Sequence, residues 1–172
     1  MIVLETERLR LRHLDPDTDV EFILRLVNEP PFIRYIGDKG VRTVADARRY
    51  ITDGPQKSYD VNGYGLYKVE LKGDFTPIGM CGLVKRDTLP DADIGFAFLE
   101  SYWNQGYAYE SAAVVMTYAR DTLGMDRILA ITTPDNIASG KLLNKIGLRF
   151  ARLIKLTEDS PEVKLYTTDG VT

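Results

Sequence analysis

Trp103-Asn104-Gln105-Gly106-Tyr107-Ala108 sits where the periodicity of the chain changes. Before it, residues 93–99 (DIGFAFL) form a short β-rich run. After it, residues 106–123 carry small or apolar side chains at Ala108, Ala112, Val115, Met116, Ala119 and Leu123, the spacing of one helix face. Gly124 stands where a C′ glycine closes a helix. Residues 127–132 are β-rich again, so a strand–helix–strand unit forms the centre of the fold.

Working back toward the N-terminus, residues 77–85 and 64–71 flank Lys72-Gly73-Asp74 and read as a β-hairpin. Thr43 with Asp46 resembles a helix-capping pair, and Val44, Ala47, Tyr50 and Ile51 form the stripe that follows. Gly54-Pro55 predicts the end of that helix. Asp15-Pro16 predicts an N-cap with proline at the first helical position, followed by Val20, Ile23, Leu24 and Val27 and a stop at Glu29-Pro30-Pro31. Residues 7–12 (ERLRLR) alternate with period 2, giving a strand with one apolar face and one charged face expected to be solvated. Toward the C-terminus, residues 136–146 form a helix with Leu142, Leu143 and Ile146 on one side. Residues 149–157 and 163–168 are the last two strands. The order β α α β β β α β α β β predicts an α/β fold with a mixed sheet and helices on both faces.

The 172 residues suit one domain, expected to span residues 1–172. Apolar residues are 44% and charged residues 27%, which excludes disorder as the main state. No stretch approaches the roughly 20 apolar residues of a membrane span, and the start turns charged too early for a secretory leader. With 22 basic and 25 acidic side chains the net charge is −3, which argues against nucleic acid as a partner. One cysteine and one histidine leave no internal disulfide, no cysteine-based zinc site and no expected metal. A cytoplasmic location is the default.

Two segments could carry chemistry. A glycine and a small residue two apart at a helix start let a ligand come close. Free amides and the helix dipole there suit a phosphate or pyrophosphate. The alternative is that Gly106 and Ala108 only allow close helix–strand packing. Asn136-Ile137-Ala138-Ser139 opens the other helix, where asparagine and serine either cap it or reach a ligand lying between the two helices.

Taken together, these segments make the chain resemble the GNAT superfamily of N-acetyltransferases. Within it, the chain is similar to the branch that includes the ribosomal-protein N-terminal acetyltransferases. Trp103–Ala108 fits the superfamily's Q/R-x-x-G-x-G/A loop, with tryptophan first. Residues 106–112 (GYAYESA) resemble G-Y-A-x-E-A, and residues 6–12 (TERLRLR) resemble T-E-R-L-x-L-R. Asn136 to Leu148 resembles N-x-x-S…L-x-K-x-G-F/L. The resemblance covers nearly the whole chain. It implies a largely antiparallel sheet with a central, splayed parallel strand pair formed by residues 93–99 and 127–132.

The resemblance implies acetyl-CoA as co-substrate. The pantetheine arm is expected along Phe96, Ala97 and Phe98, and the pyrophosphate on Trp103, Asn104, Gln105, Gly106, Tyr107 and Ala108, with Asn136 and Ser139 beside them. An amine acceptor, either a protein N-terminus or a small molecule, then attacks the thioester directly. Many superfamily members place a proton-donating tyrosine seven residues after the asparagine. Here that position is Leu143, so Ser139 is the candidate donor to the leaving thiolate. Asp93 is the candidate general base, with a solvated strand-end carboxylate as the alternative. Glu110 has a structural reading at the helix start. His13 reads as packing and Cys81 as a small buried hydrophobe. Acceptor choice is expected to rest on residues 32–40, the helix after Thr43 and residues 158–162. The rival readings are a small-molecule acetyltransferase and a non-catalytic acyl-CoA-binding domain; a homodimer is compatible with either.

Overall fold

The computed structural model describes residues 1–169, so positions 170–172 of the expected domain lie outside the described residues. Among the described residues there are eight strands: β1 (Ile2–Glu5), β2 (Leu9–Arg12), β3 (Leu66–Leu71), β4 (Pro77–Val84), β5 (Asp93–Phe98), β6 (Leu129–Thr132), β7 (Arg149–Lys155) and β8 (Glu162–Thr167). The α-helices are α1 (Val20–Leu26), α2 (Pro30–Tyr35), α3 (Val44–Ile51), α4 (Lys57–Asn62), α5 (Tyr107–Asp121) and α6 (Ile137–Lys145). The strands make one sheet in the order β1-β2-β3-β4-β5-β6-β8-β7. All neighbours are antiparallel except β5 and β6, which are parallel.

Strand alternation sets the two faces. Leu9 and Leu11 of β2 join Val69, Cys81, Leu83 and Ile94 in a core closed by Ala112, Val115, Met116 and Ala119 of α5 and Leu143 of α6. Met80, the neighbour of Cys81, points the other way into a second core with Val20, Ile23 and Leu26 of α1 and Ala47 and Ile51 of α3. Helices therefore flank the sheet as the element order predicted.

Ile2–Glu5 is an additional strand, paired with β2, that the sequence reading did not place. Three local expectations are corrected. Asp15 accepts from the amides of Asp17 and Thr18 and so builds a turn rather than capping α1. The N-cap is Asp19, whose carboxylate is committed to the Asp15 amide and the Lys68 ammonium. Pro30 and Pro31 open α2, where a missing N–H costs nothing. Gly54-Pro55 does not stop the third helical segment. Thr52–Gln56 widens into a π turn that holds Pro55 buried and leads directly into α4. The wider turn avoids the clash that proline makes with the carbonyl four residues back in an α-helix.

The charged face of β2 is also not solvated. Arg10 and Arg12 both pair with Glu70 of β3, and Lys68 bridges Glu70 and Asp19. Glu70 is only 1% exposed, enclosed by these cations.

Candidate active site

Splaying of the one parallel pair opens the site. β5 and β6 share a single register, Asp93 opposite Leu129, and then part. The Leu99 amide donates to the Ile78 carbonyl at 2.9 Å, which fixes the alternation along β5. Ala97, Gly95 and Asp93 thus turn their backbone groups toward β4, while Ile94, Phe96 and Phe98 turn theirs toward the gap. Of the three expected pantetheine-pairing residues, Phe96 offers its free backbone to the gap. Ala97 lines the gap but spends its backbone on Met80, and the Phe98 carbonyl accepts from the Trp103 indole Nε1 at 2.9 Å.

The gap continues into an open cleft of about 1610 Å³. Its floor is β5, and one wall is the start of α5, with Trp103, Asn104, Gly106, Tyr107 and Ala108. The opposite wall is Asn136, Ala138 and Ser139 at the start of α6. Gln105 is the exception: its side chain donates to the Ser101 carbonyl, and it does not line the cleft. Asn104 and Gly106 both have left-handed backbones, with φ 62° and 84°. Among the described residues, the amides of residues 104–109 have no acceptor. This row of free donors at a helix start is what an anionic ligand requires.

At α6, Asn136 Oδ1 accepts from the Ser139 backbone N–H at 3.2 Å. Asn136 is thus the cap, and the Ser139 hydroxyl is not spent on capping. Ser139 and Leu143 both line the cleft, one helical turn apart. Asp93 lies at the point where the strands part and is 1% exposed. Burial pushes its carboxyl up to about 6, while the Arg86 guanidinium, 3.0 Å away, opposes the rise. A carboxylate with that value is ionised at neutral pH yet basic enough to take a proton. The solvated strand-end alternative is excluded by this burial.

Three acceptor-side expectations meet in the same cleft: Phe32, Tyr35 and Lys39, then Arg49 and Tyr50 of α3, then Ser160 and Pro161. Lys39 is largely exposed at the cleft rim, where partial desolvation and nearby Arg86 both lower its pKa. Sequence reading missed Arg86 and the α4 contribution; Arg86 gave no signal because its partner Asp93 lies across a loop.

Glu110 is structural, as expected from its place in the first turn of α5. It accepts from the Thr6 hydroxyl, from the Arg8 amide at 3.1 Å and from Arg8 Nε at 2.8 Å. His13 stacks on Tyr59 at 3.9 Å, and Cys81 is fully buried, so neither reaches the cleft.

Residues 8–149 match the model of the acetyltransferase (GNAT) domain. The chain belongs to the GNAT acetyltransferase family. The uncharacterized N-acetyltransferase YoaA of Bacillus subtilis is 30% identical over 149 residues, covering 86% of this chain and 82% of that protein. A GNAT acetyltransferase from Bacillus anthracis superposes with a TM-score of 0.77 at 25% identity, covering 97% of each chain. The ribosomal L7/L12 N-acetyltransferase RimL in complex with coenzyme A has a TM-score of 0.81 at 21% identity, over 98% of this chain and all of that one. This GNAT protein is therefore an acetyl-CoA-dependent N-acetyltransferase. Among the described residues no helix is long and apolar enough to cross a membrane.

Proposed function

We propose that residues 1–172 form one cytoplasmic domain that transfers acetyl from acetyl-CoA to a primary amine by direct attack in a ternary complex. The observation that carries this is the meeting of three features in one cleft: free amides at the start of α5, the ionisable Asp93 and the uncommitted Ser139 hydroxyl. The pyrophosphate is assigned to the amides of residues 104–108, and the pantetheine to the free edge of Phe96. Asn136 borders the arm through its side-chain NH2, because its oxygen caps α6.

In the reaction the amine nitrogen forms a bond to the thioester carbonyl carbon as the carbon–sulfur bond breaks. The ammonium proton passes to Asp93, directly or through water. The leaving thiolate takes a hydrogen bond or a proton from Ser139. Positioning of the two substrates supplies most of the acceleration, since no covalent enzyme intermediate is needed. We assign the acceptor to the cleft end bordered by α2, α3 and residues 160–161. A protein N-terminus or a small-molecule amine fits there, and RimL, which acts on a ribosomal protein, shares the fold.

Release of free thiol from acetyl-CoA, measured across a panel of N-terminal peptides, amino acids and polyamines, tests the proposal. Saturable turnover with one class supports it. CoA binding without turnover on any amine would favour the non-catalytic acyl-CoA-binding reading.

A further inference from the structure

We infer that Arg8, in the turn between β1 and β2, is a positioning residue for the pyrophosphate of acetyl-CoA, because it fixes the direction of the Gly106 amide. This deepens the acetyl-CoA reading above and rests on it. Arg8 Nη1 donates to the Gln105 carbonyl oxygen at 3.0 Å. A peptide unit is planar and trans, so its C=O and N–H point in opposite directions. Holding the Gln105 carbonyl toward Arg8 therefore turns the Gly106 N–H away from Arg8. Gly106 lines the cleft and Arg8 does not.

The arginine is itself held at several points. Its Nε donates to Glu110, its backbone amide donates to the same carboxylate, and its guanidinium lies 4.4 Å from the Tyr107 ring centroid. A Cβ on Gly106 would lie 3.2 Å from Arg8 Nη2, so the contact is close on that side too. Burial works to raise the Glu110 pKa, but the donors on Thr6 and Arg8 outweigh it and hold the carboxyl below its usual range. The anchor thus stays charged. Arg8 also offsets a negative charge that would otherwise stand one helical turn from the free amides. Its removal acts twice, releasing the peptide and exposing Glu110 to the incoming phosphates.

The residues come from two motifs about a hundred positions apart, Thr6 and Arg8 in one and Gly106 and Glu110 in the other. The turn that follows the first strand is thereby part of the cofactor site without touching the cofactor.

The test compares CoA with pantetheine, which lacks the pyrophosphate, by NMR titration of wild type, Arg8→Ala and Arg8→Lys. Arg8→Ala is expected to weaken CoA by about ten- to a hundredfold, the worth of one or two hydrogen bonds to a charged group. Pantetheine should change by less than about twofold, since it does not reach the loop. Lysine cannot bond Gln105 and Glu110 as a planar fork, so Arg8→Lys should recover only part of the loss. CoA affinity within about twofold of wild type in Arg8→Ala would overturn the inference, as would equal weakening of both ligands, which marks a general structural role. If Arg8→Ala does not fold, unchanged CoA affinity in Arg8→Lys overturns it equally. A wild-type protein that binds no CoA would instead sink the underlying cofactor reading.

Discussion

As the proposed general base, Asp93 would couple catalysis to stability through its burial. Because its carboxyl is pushed up to about 6, kcat/KM should rise with pH through that value and then level. Asp93→Asn should remove the acidic limb and cut turnover by at least about a hundredfold; a retained limb would show that another group titrates. The stability effect has the opposite sign from that of an ordinary salt-bridged carboxylate. The folded pKa lies above the ordinary carboxyl value of 3.8, so the contribution of Asp93 is fully present below about pH 4 and is lost as pH rises through about 6. Urea unfolding of wild type and Asp93→Asn should shift in favour of the variant by on the order of 3 kcal/mol between those limits. Ser139 makes a second residue-scale test. Its backbone, not its hydroxyl, serves the α6 cap, so Ser139→Ala should leave stability nearly unchanged. Steady-state turnover should fall by roughly ten- to a thousandfold with acetyl-CoA affinity retained. Turnover within about twofold of wild type would remove Ser139 from the mechanism.

At the scale of elements, the two helix starts that face each other are built differently. α6 begins with a side-chain cap, whereas α5 begins with a left-handed glycine and leaves its amides free. Asn136→Ala should therefore cost about 1 kcal/mol in denaturant unfolding. Asn136→Asp keeps the capping oxygen and removes the NH2 donor, so it should hold stability while weakening acetyl-CoA in calorimetry. Affinity equal to wild type in Asn136→Asp would confine Asn136 to capping. Gly106→Ala places a side chain at φ 84° and presses on Arg8. A loss of roughly 1 to 2 kcal/mol in stability is expected, together with weaker CoA binding. A Cβ there aims at Arg8, so bulk at position 106 acts on the cleft through the loop.

Across the whole molecule, the sheet keeps α1 on one face by a buried ionic network of Arg10, Arg12, Asp19, Lys68 and Glu70. Removing the central carboxylate leaves three cations without their shared partner. Glu70→Gln should destabilise by about 1 to 3 kcal/mol in thermal or urea unfolding, because Arg12 and Lys68 keep Asp19 while Arg10 loses its carboxylate partner. The loss should be seen at neutral pH. Arg12 and Arg10 hold the Glu70 carboxyl below its ordinary range against the opposing effect of burial. Its contribution is thus present above about pH 4.5 and disappears as pH falls through the lowered folded value. A variant as stable as wild type would show that α1 is held by apolar packing alone.

Period and punctuation in the sequence determined the central strand–helix–strand unit, the hairpin of β3 and β4, α6 and the last two strands, each to within about two residues, because local propensity and tertiary packing agree there. Residue types at the two helix starts left packing and capping open beside ligand binding, and the strand edge at Phe96–Phe98 was named by the family resemblance rather than by period. Tertiary structure alone decided what Pro55 does, because a π turn forms only where packing on the sheet repays its poorer geometry. It alone decided that Arg10 and Arg12 are paired and half-buried, since period 2 reports two faces but not what covers the second. The same holds for Arg8 with Gln105 and for Arg86 with Asp93. Hydrogen-bond partners brought together by sheet pairing and helix docking leave no trace in spacing along the chain, so the direction of one peptide and the basicity of one carboxylate become readable only once the sheet has formed.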